Sequence, residues 1–156
     1  MAFLEVLMST DYSIIKANWP EQADVLKSIR ESVFVIEQGV SSEIEWDGRD
    51  HLCQHVIAYS NTEQPIGTGR ILPSGHIGRI AVIASWRGKE VGSAILKALI
   101  NLAEENSDDN NIDNVYLNSQ THAIPFYQRF GFVSEGDIFI EAEIPHQKMI
   151  LRFKAK

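Results

Sequence analysis

Cysteine is almost absent from this chain: Cys53 stands alone among 156 residues. It has no mate for an internal disulfide, and in an apparent strand it reads as a small core residue. No closely spaced Cys/His cluster of zinc type occurs, so no metal is expected. His51 and His55 lie four apart, but on a stretch that reads as a strand rather than on a helix face. No apolar run approaches the ~18 to 20 residues of a membrane helix. The first eight residues are apolar but contain Glu5 and lack a basic leader, so residues 1–10 read as a short extension rather than a signal peptide. Together these features point to a cytoplasm-like compartment and no membrane. Basic residues are also in deficit: 14 Lys and Arg against 21 Asp and Glu give a net charge of -7. That balance argues against nucleic acid as a partner. No window supplies the G-x-x-x-x-G-K-[ST] of a P-loop. Gly67-Thr68-Gly69 stops two glycines into a dinucleotide fingerprint and leads into a strand. Repeats, low-complexity stretches and linkers are missing. A hydrophobic content of 44% and this length fit one domain over 1–156.

What is present centres on residues 78–94. Ile80 to Ala84 are small or β-branched and suit a buried strand. From Val91 the apolar positions Val91, Ala94, Ile95, Ala98, Leu99 and Leu102 follow a helical period. Between them lies a turn with Arg87, Gly88, Lys89, Glu90, Gly92 and Ser93. A helix start offers unbonded N–H groups and the positive end of the dipole, and glycines let that backbone approach a bulky anion. Phosphate or pyrophosphate is the natural ligand for such a turn. A plain strand–turn–helix with a surface Arg and Lys fits the same residues.

Further along, Val115 to Asn118 reads as a strand and Thr121 to Phe130 as a helix ended by Gly131. The rest reads as a strand from Tyr12 to Ala17, a helix from Pro20 to about Glu37, and an acidic loop from Gly39 to Asp50. Strands Cys53–Tyr59 and Ile66–Leu72 follow, joined by a hairpin connection, then a central strand Ile77–Ile83 and a helix Glu90–Asn106. Closing strands surround Phe132 and run from Lys148 to Phe153. The order implies an α/β protein with a single mixed sheet.

Two of these segments together resemble the GNAT superfamily of N-acetyltransferases. Residues 87–92 resemble its [Q/R]-x-x-G-x-[G/A] acetyl-CoA motif, with Arg87 first and Gly92 last; Glu90 replaces the middle glycine. Ala123 to Phe132 resembles its A-x-x-[F/L]-Y-x-x-x-G-F signature, with Gln120 where the family often has Asn. Val33–Val40, Glu45–Asp50 and Phe139–Met149 resemble the ElaA/YjcF-like branch. The resemblance implies a GNAT fold, a central mixed sheet flanked by helices, and acetyl-CoA as acyl donor to a primary amine, on a small molecule or a peptide. It places the thioester and pantetheine on the backbone of Ile80, Ala81 and Val82. It places the pyrophosphate on Arg87, Gly88, Lys89, Glu90, Val91, Gly92 and Ser93, with Gln120 nearby.

Amide formation also needs a neutral amine, an oxyanion donor and a proton for the thiolate. The resemblance makes Tyr127 that acid; a packed helical aromatic is the alternative. Glu37, Glu141 and His146 are candidate bases, His146 on a loop after Pro145; a structural or surface histidine fits equally. Arg30 could contact an anionic acceptor group or a carboxylate. Glu43, Glu45, Asp47 and Asp50 could receive a cationic amine or simply be solvated. The Glu90 side chain is expected to face solvent, where an acid at a helix start is favourable. An acyl-CoA-binding or regulatory module without turnover is the competing function, supported by Glu90. Nothing specific supports a purely structural protein, and a homodimer is allowed but not specified.

Overall fold

The structure, a computed structural model, describes residues 5–8, 11–41 and 46–154. Strands β1 (Glu5–Met8), β2 (Tyr12–Ala17), β3 (Gln54–Ser60), β4 (Pro65–Ile71) and β5 (Ile77–Val82) form an antiparallel sheet in that order. Strands β6 (Asn114–Gln120), β7 (Val133–Glu141) and β8 (Ile144–Arg152) form a second antiparallel sheet, with β8 in the middle. The sheets touch through one parallel bridge, His76 to Tyr116. The expected single mixed sheet is therefore two sheets. The β5–helix–β6 crossover is present, but its two strands part after one bridge, and a cleft opens between them.

Helix α1 (Trp19–Arg30) covers one face of the five-stranded sheet and α2 (Val91–Glu105) the other. Alternation along β3 fits this: Val56 and Ala58 join the α2 core, and Ile57 joins Leu26, Ile29 and Val33 on the α1 side. The stripe read from Val91 to Leu102 is buried throughout. Helix α2 lies close on β4 because that strand carries Gly67 and Gly69. A Cβ on Gly69 would stand 2.8 Å from both Ile95 and Leu99. The two glycines that end too early for a dinucleotide fingerprint serve helix–sheet packing. Helix α3 (Ser107–Asn110) is a single turn before β6.

Several boundaries differ from the sequence reading. The first helix starts after Asn18 with Pro20 in its first turn, as expected, but Glu31–Glu37 continues it as π-helix. The Thr121–Phe130 helix shrinks to a 3-10 turn, Thr121–Ala123, and α4 (Ile124–Gln128). Cys53 sits just before β3 rather than in it, half-buried, and burial pushes its thiol up to about 11. His146 lies within β8, not on a loop. The β7–β8 hairpin turns on Ala142 and Glu143, both with positive φ.

Candidate active site in the interstrand cleft

On β5, Val82 pairs with Gly67 and Ala81 with Thr68; the register then shifts before Arg70 pairs with Gly78. The shift is a bulge at Arg79, whose φ of 53° is left-handed. Ala81 is buried, while Ile80 and Val82 are half-buried, Ile80 lining the cleft. A 3-10 turn, Ala84–Trp86, leads from the strand to Arg87.

Arg87 does not stand free at the helix start. Its Nε–H donates to the Val82 carbonyl at 3.0 Å, and its two Nη groups grip Glu37 at 2.5 and 2.7 Å. The structure thus joins a candidate pyrophosphate ligand to a candidate base. Arg87's hydrogen bonds hold the Glu37 carboxyl below its ordinary range. Gly88 is left-handed, and Lys89 Nζ lies 5.3 Å from the Trp86 ring centroid. Glu90 is exposed and left-handed, with φ of 67°, and caps α2. Its carbonyl accepts the first intrahelical bond, from Ala94 N–H, so the N–H groups of Val91, Gly92 and Ser93 precede the helical ladder. A Cβ on Gly92 would meet only Val82, at 3.8 Å. This turn therefore presents unladdered N–H groups, open space at Gly92 and a lysine at the start of a 15-residue helix. Those features fit a diphosphate group.

Tyr127 and His146 share one cavity of about 590 Å³, together with Gln120, Asn118, Ile80, Arg79, His76, Arg49 and Glu141. Glu37 is not among its lining residues; the adjacent Gln38 is, and its Oε1 accepts from Gln120 Nε2 at 3.2 Å. Tyr127 is packed edge-on between Phe126 and Phe132, and burial pushes its hydroxyl up to about 12. His146 pairs with Gln120 across β8 and β6. It is nearly buried, and its ring stacks on Phe139. Its Nδ1–H donates to the Ile144 carbonyl at 2.7 Å, since a carbonyl can only accept. In the neutral ring, Nε2 then carries the lone pair, 3.6 Å from a Glu141 oxygen.

The described carboxylates of the acidic loop, Asp47 and Asp50, are not free. Asp50 accepts from Arg30 at 2.6 Å and from Arg70 at 2.9 Å. Asp47 is gripped by Arg70 at 2.6 and 3.0 Å, and Arg79 lies 3.4 Å away. Both carboxyls lie below their ordinary range, because these guanidinium hydrogen bonds outweigh burial. Of the two partners open to Arg30, an anionic acceptor group or a carboxylate, the structure gives the carboxylate: Arg30 is buried on Asp50, with its guanidinium over Trp46. Glu43 and Glu45 lie outside the described residues. Reading the sequence alone missed the arginine wall of Arg49, Arg70 and Arg79. One signal was present: Arg70 interrupts an otherwise uncharged β4, and a guanidinium buried there requires a carboxylate.

Comparison with known proteins bears on the same features. Residues 30–153 match the model of the acetyltransferase (GNAT) domain. The N-acetyltransferase YjcF of Bacillus subtilis, itself uncharacterised, is 39% identical over 127 residues, covering 78% of this chain and 86% of YjcF. ElaA of Escherichia coli is 31% identical over 132 residues, covering 80% of this chain and 84% of ElaA. The crystal structure of E. coli ElaA superposes with a TM-score of 0.73 at 29% identity, over 88% of this chain and 97% of that one. An acyl-CoA N-acyltransferase from Pseudomonas aeruginosa gives 0.77 at 27% identity, over 89% and 98%. The parted strands, the glycine turn at a helix start and the tyrosine beyond the crossover thus have a common explanation: this chain belongs to the GNAT family of acetyltransferases.

Proposed function

We propose that this enzyme transfers an acetyl group from acetyl-CoA to a primary amine by direct attack, with Tyr127 as general acid and His146 as general base. The observation that carries the reading is the shared cavity: the Tyr127 side chain and the His146 ring line one space where β5 and β6 part. The turn from Arg87 to Ser93 holds the diphosphate, and the backbone of Ile80 to Val82 faces the thioester. His146 Nε2 takes the proton that the ammonium must lose, and Glu141 stabilises the resulting imidazolium. The amine nitrogen then bonds to the thioester carbon. As the carbon–sulfur bond breaks, Tyr127 gives its proton to the departing sulfur. The second proton shed by the amine nitrogen restores the tyrosine. Glu37 suits the base role poorly, because Arg87 makes it a weaker base. Its part is to hold the π-helical end of the first helix against the diphosphate turn.

The test replaces Tyr127 by Phe. Ring packing on Phe126 and Phe132 survives, so acetyl-CoA affinity measured by calorimetry should be retained. Turnover should fall by roughly 10²- to 10⁴-fold. Unchanged turnover removes Tyr127 from the chemistry. Tight acetyl-CoA binding with no turnover on any amine class identifies a binding module instead.

A further inference from the structure

The two arms of the cleft differ in charge. The wall supplied by the five-stranded sheet and the loop before β3 carries Arg49, Arg70, Arg79 and His76, with one acid, Asp47. The opposite wall, supplied by β6, β7 and β8, carries His146 and Glu141. On the arginine wall most charge is already committed: Arg70 is gripped by Asp47 and Asp50, and Arg79 leans on Asp47. Arg49 differs. It is exposed and lines the cavity, and its backbone N–H donates to Asp47 at 3.1 Å. Among the described residues its guanidinium enters no ion pair. His76, stacked on Tyr116 at the closed end of the cleft, reports the local field. Burial first, then Arg70, Arg79 and Arg49, push it down to about 4. It therefore stays neutral near pH 7 and adds no charge of its own.

From this asymmetry we infer that the acceptor is an amino acid or related amine bearing a carboxylate, which Arg49 receives while the amine lies toward His146 and Glu141. The inference rests on the acetyl-transfer reading for the amine's fate but not for the ligand's charge. A cavity of about 590 Å³ suits a small ligand of this kind. A guanidinium receives a carboxylate through two parallel N–H groups, which fixes direction as well as affinity. A cationic wall facing an acid–histidine wall orients a zwitterion one way round: the reversed pose sets ammonium against guanidinium and carboxylate against Glu141. Neutral amines gain nothing from Arg49, and polyamines are repelled by it.

Matched pairs of acceptors test this. L-Lysine, β-alanine and a short peptide ending in lysine are each compared with their carboxamides, in the wild type and in Arg49→Gln. At least one acid should exceed its amide by about ten-fold or more in kcat/KM, the size of one charge-assisted hydrogen bond. Arg49→Gln should abolish that preference and keep acetyl-CoA affinity and thermal stability, since the guanidinium is exposed. Calorimetry of the same pairs with CoA-loaded protein supplies a readout independent of turnover. Acid binding that depends on Arg49 without turnover sustains the inference and removes the acetyl-transfer reading. Amides used or bound as well as acids in the wild type, or an acid preference that survives in Arg49→Gln, overturns the inference and leaves acetyl transfer standing. Absence of both binding and turnover for every pair also overturns it.

Discussion

Glu90 occupies a backbone conformation made for glycine. Its φ of 67° places a β-carbon in the left-handed region, which costs an L-residue about 1–2 kcal/mol. The family motif has glycine at this position, and the structure supplies the reason: the chain must turn left-handed to enter α2. Glu90→Gly should raise stability by about 1 kcal/mol in chemical denaturation, less than the full strain because glycine also loosens the unfolded chain. Acetyl-CoA affinity should shift by no more than about three-fold, since the side chain is exposed and screened. A larger gain in affinity would mean that the carboxylate opposes the phosphates. Tyr127 gives a second prediction at this scale. A general acid works while protonated and is lost as pH rises through its pKa. Burial carries that value up to about 12, so turnover with a fixed acceptor should show no loss from Tyr127 ionisation up to about pH 10. An alkaline limb near pH 10 that disappears in Tyr127→Phe would contradict this. The sequence brought Tyr127, the glycine turn and Gln120 into view because their spacing is local. Arg49, Arg70 and Asp47 stayed hidden as a cluster, because Arg70 on β4 meets Asp47 and Asp50, which precede β3, across 20 or more positions of sequence.

At the scale of elements, patterns with a local signal were legible. The α2 stripe, Pro20 after Asn18, and the β3–β4 hairpin all carry periodicity, a capping context or turn residues. The β7–β8 hairpin carried none. Its turn residues, Ala142 and Glu143, both take positive φ in a two-residue connection, where Asn-Gly or Asp-Gly would have announced it. Without that signal β7 shrank to a strand around Phe132, and His146 fell on a loop. The π-helical Glu31–Glu37 was equally silent: no residue in it signals the wider turn, and the contacts at its end, Glu37 on Arg87 and Gln38 on Gln120, reach 50 and 82 positions along the chain. The α2–β4 contact permits a direct test. Gly69→Ala places a methyl 2.8 Å from Ile95 and Leu99, and Ile95 is branched and fully buried. Overpacking of this kind should cost about 1–3 kcal/mol, read as a lower denaturant midpoint with an unchanged slope. Full stability in Gly69→Ala would show that α2 can lift from the sheet without penalty, and the glycine would then need another explanation.

Across the whole molecule, the Arg30–Asp50–Arg70–Asp47 cluster ties distant parts of the chain together. Arg30 ends α1, Arg70 lies on β4, and the two aspartates come from the loop before β3. Arg30 and Arg70 are both nearly inaccessible to solvent, so their charges depend on these carboxylates. Removing one side of such a buried pair costs about 3–5 kcal/mol, because a desolvated charge loses its counter-ion. Asp50→Asn should therefore destabilise the protein by that order, while replacing an exposed acid such as Glu104 should change stability by less than about 0.5 kcal/mol. The pH dependence follows from the same geometry. Both aspartates are more acidic folded than unfolded, so the unfolded chain binds protons first as pH falls. Their contribution is complete above the ordinary carboxylate range, near pH 4. It declines as pH drops below that range toward the folded values. Thermal unfolding followed from about pH 7 to pH 3 should show a falling midpoint below about pH 5, and the fall should be shallower in Asp50→Asn, which has one fewer such group to protonate. The arginine wall of the cleft is built on this cluster, through Arg70 and through the bond from Asp47 to the Arg49 backbone. A wild-type unfolding midpoint flat to pH 3, or an Asp50→Asn protein as stable as the wild type, would show that the cluster does not hold these elements together.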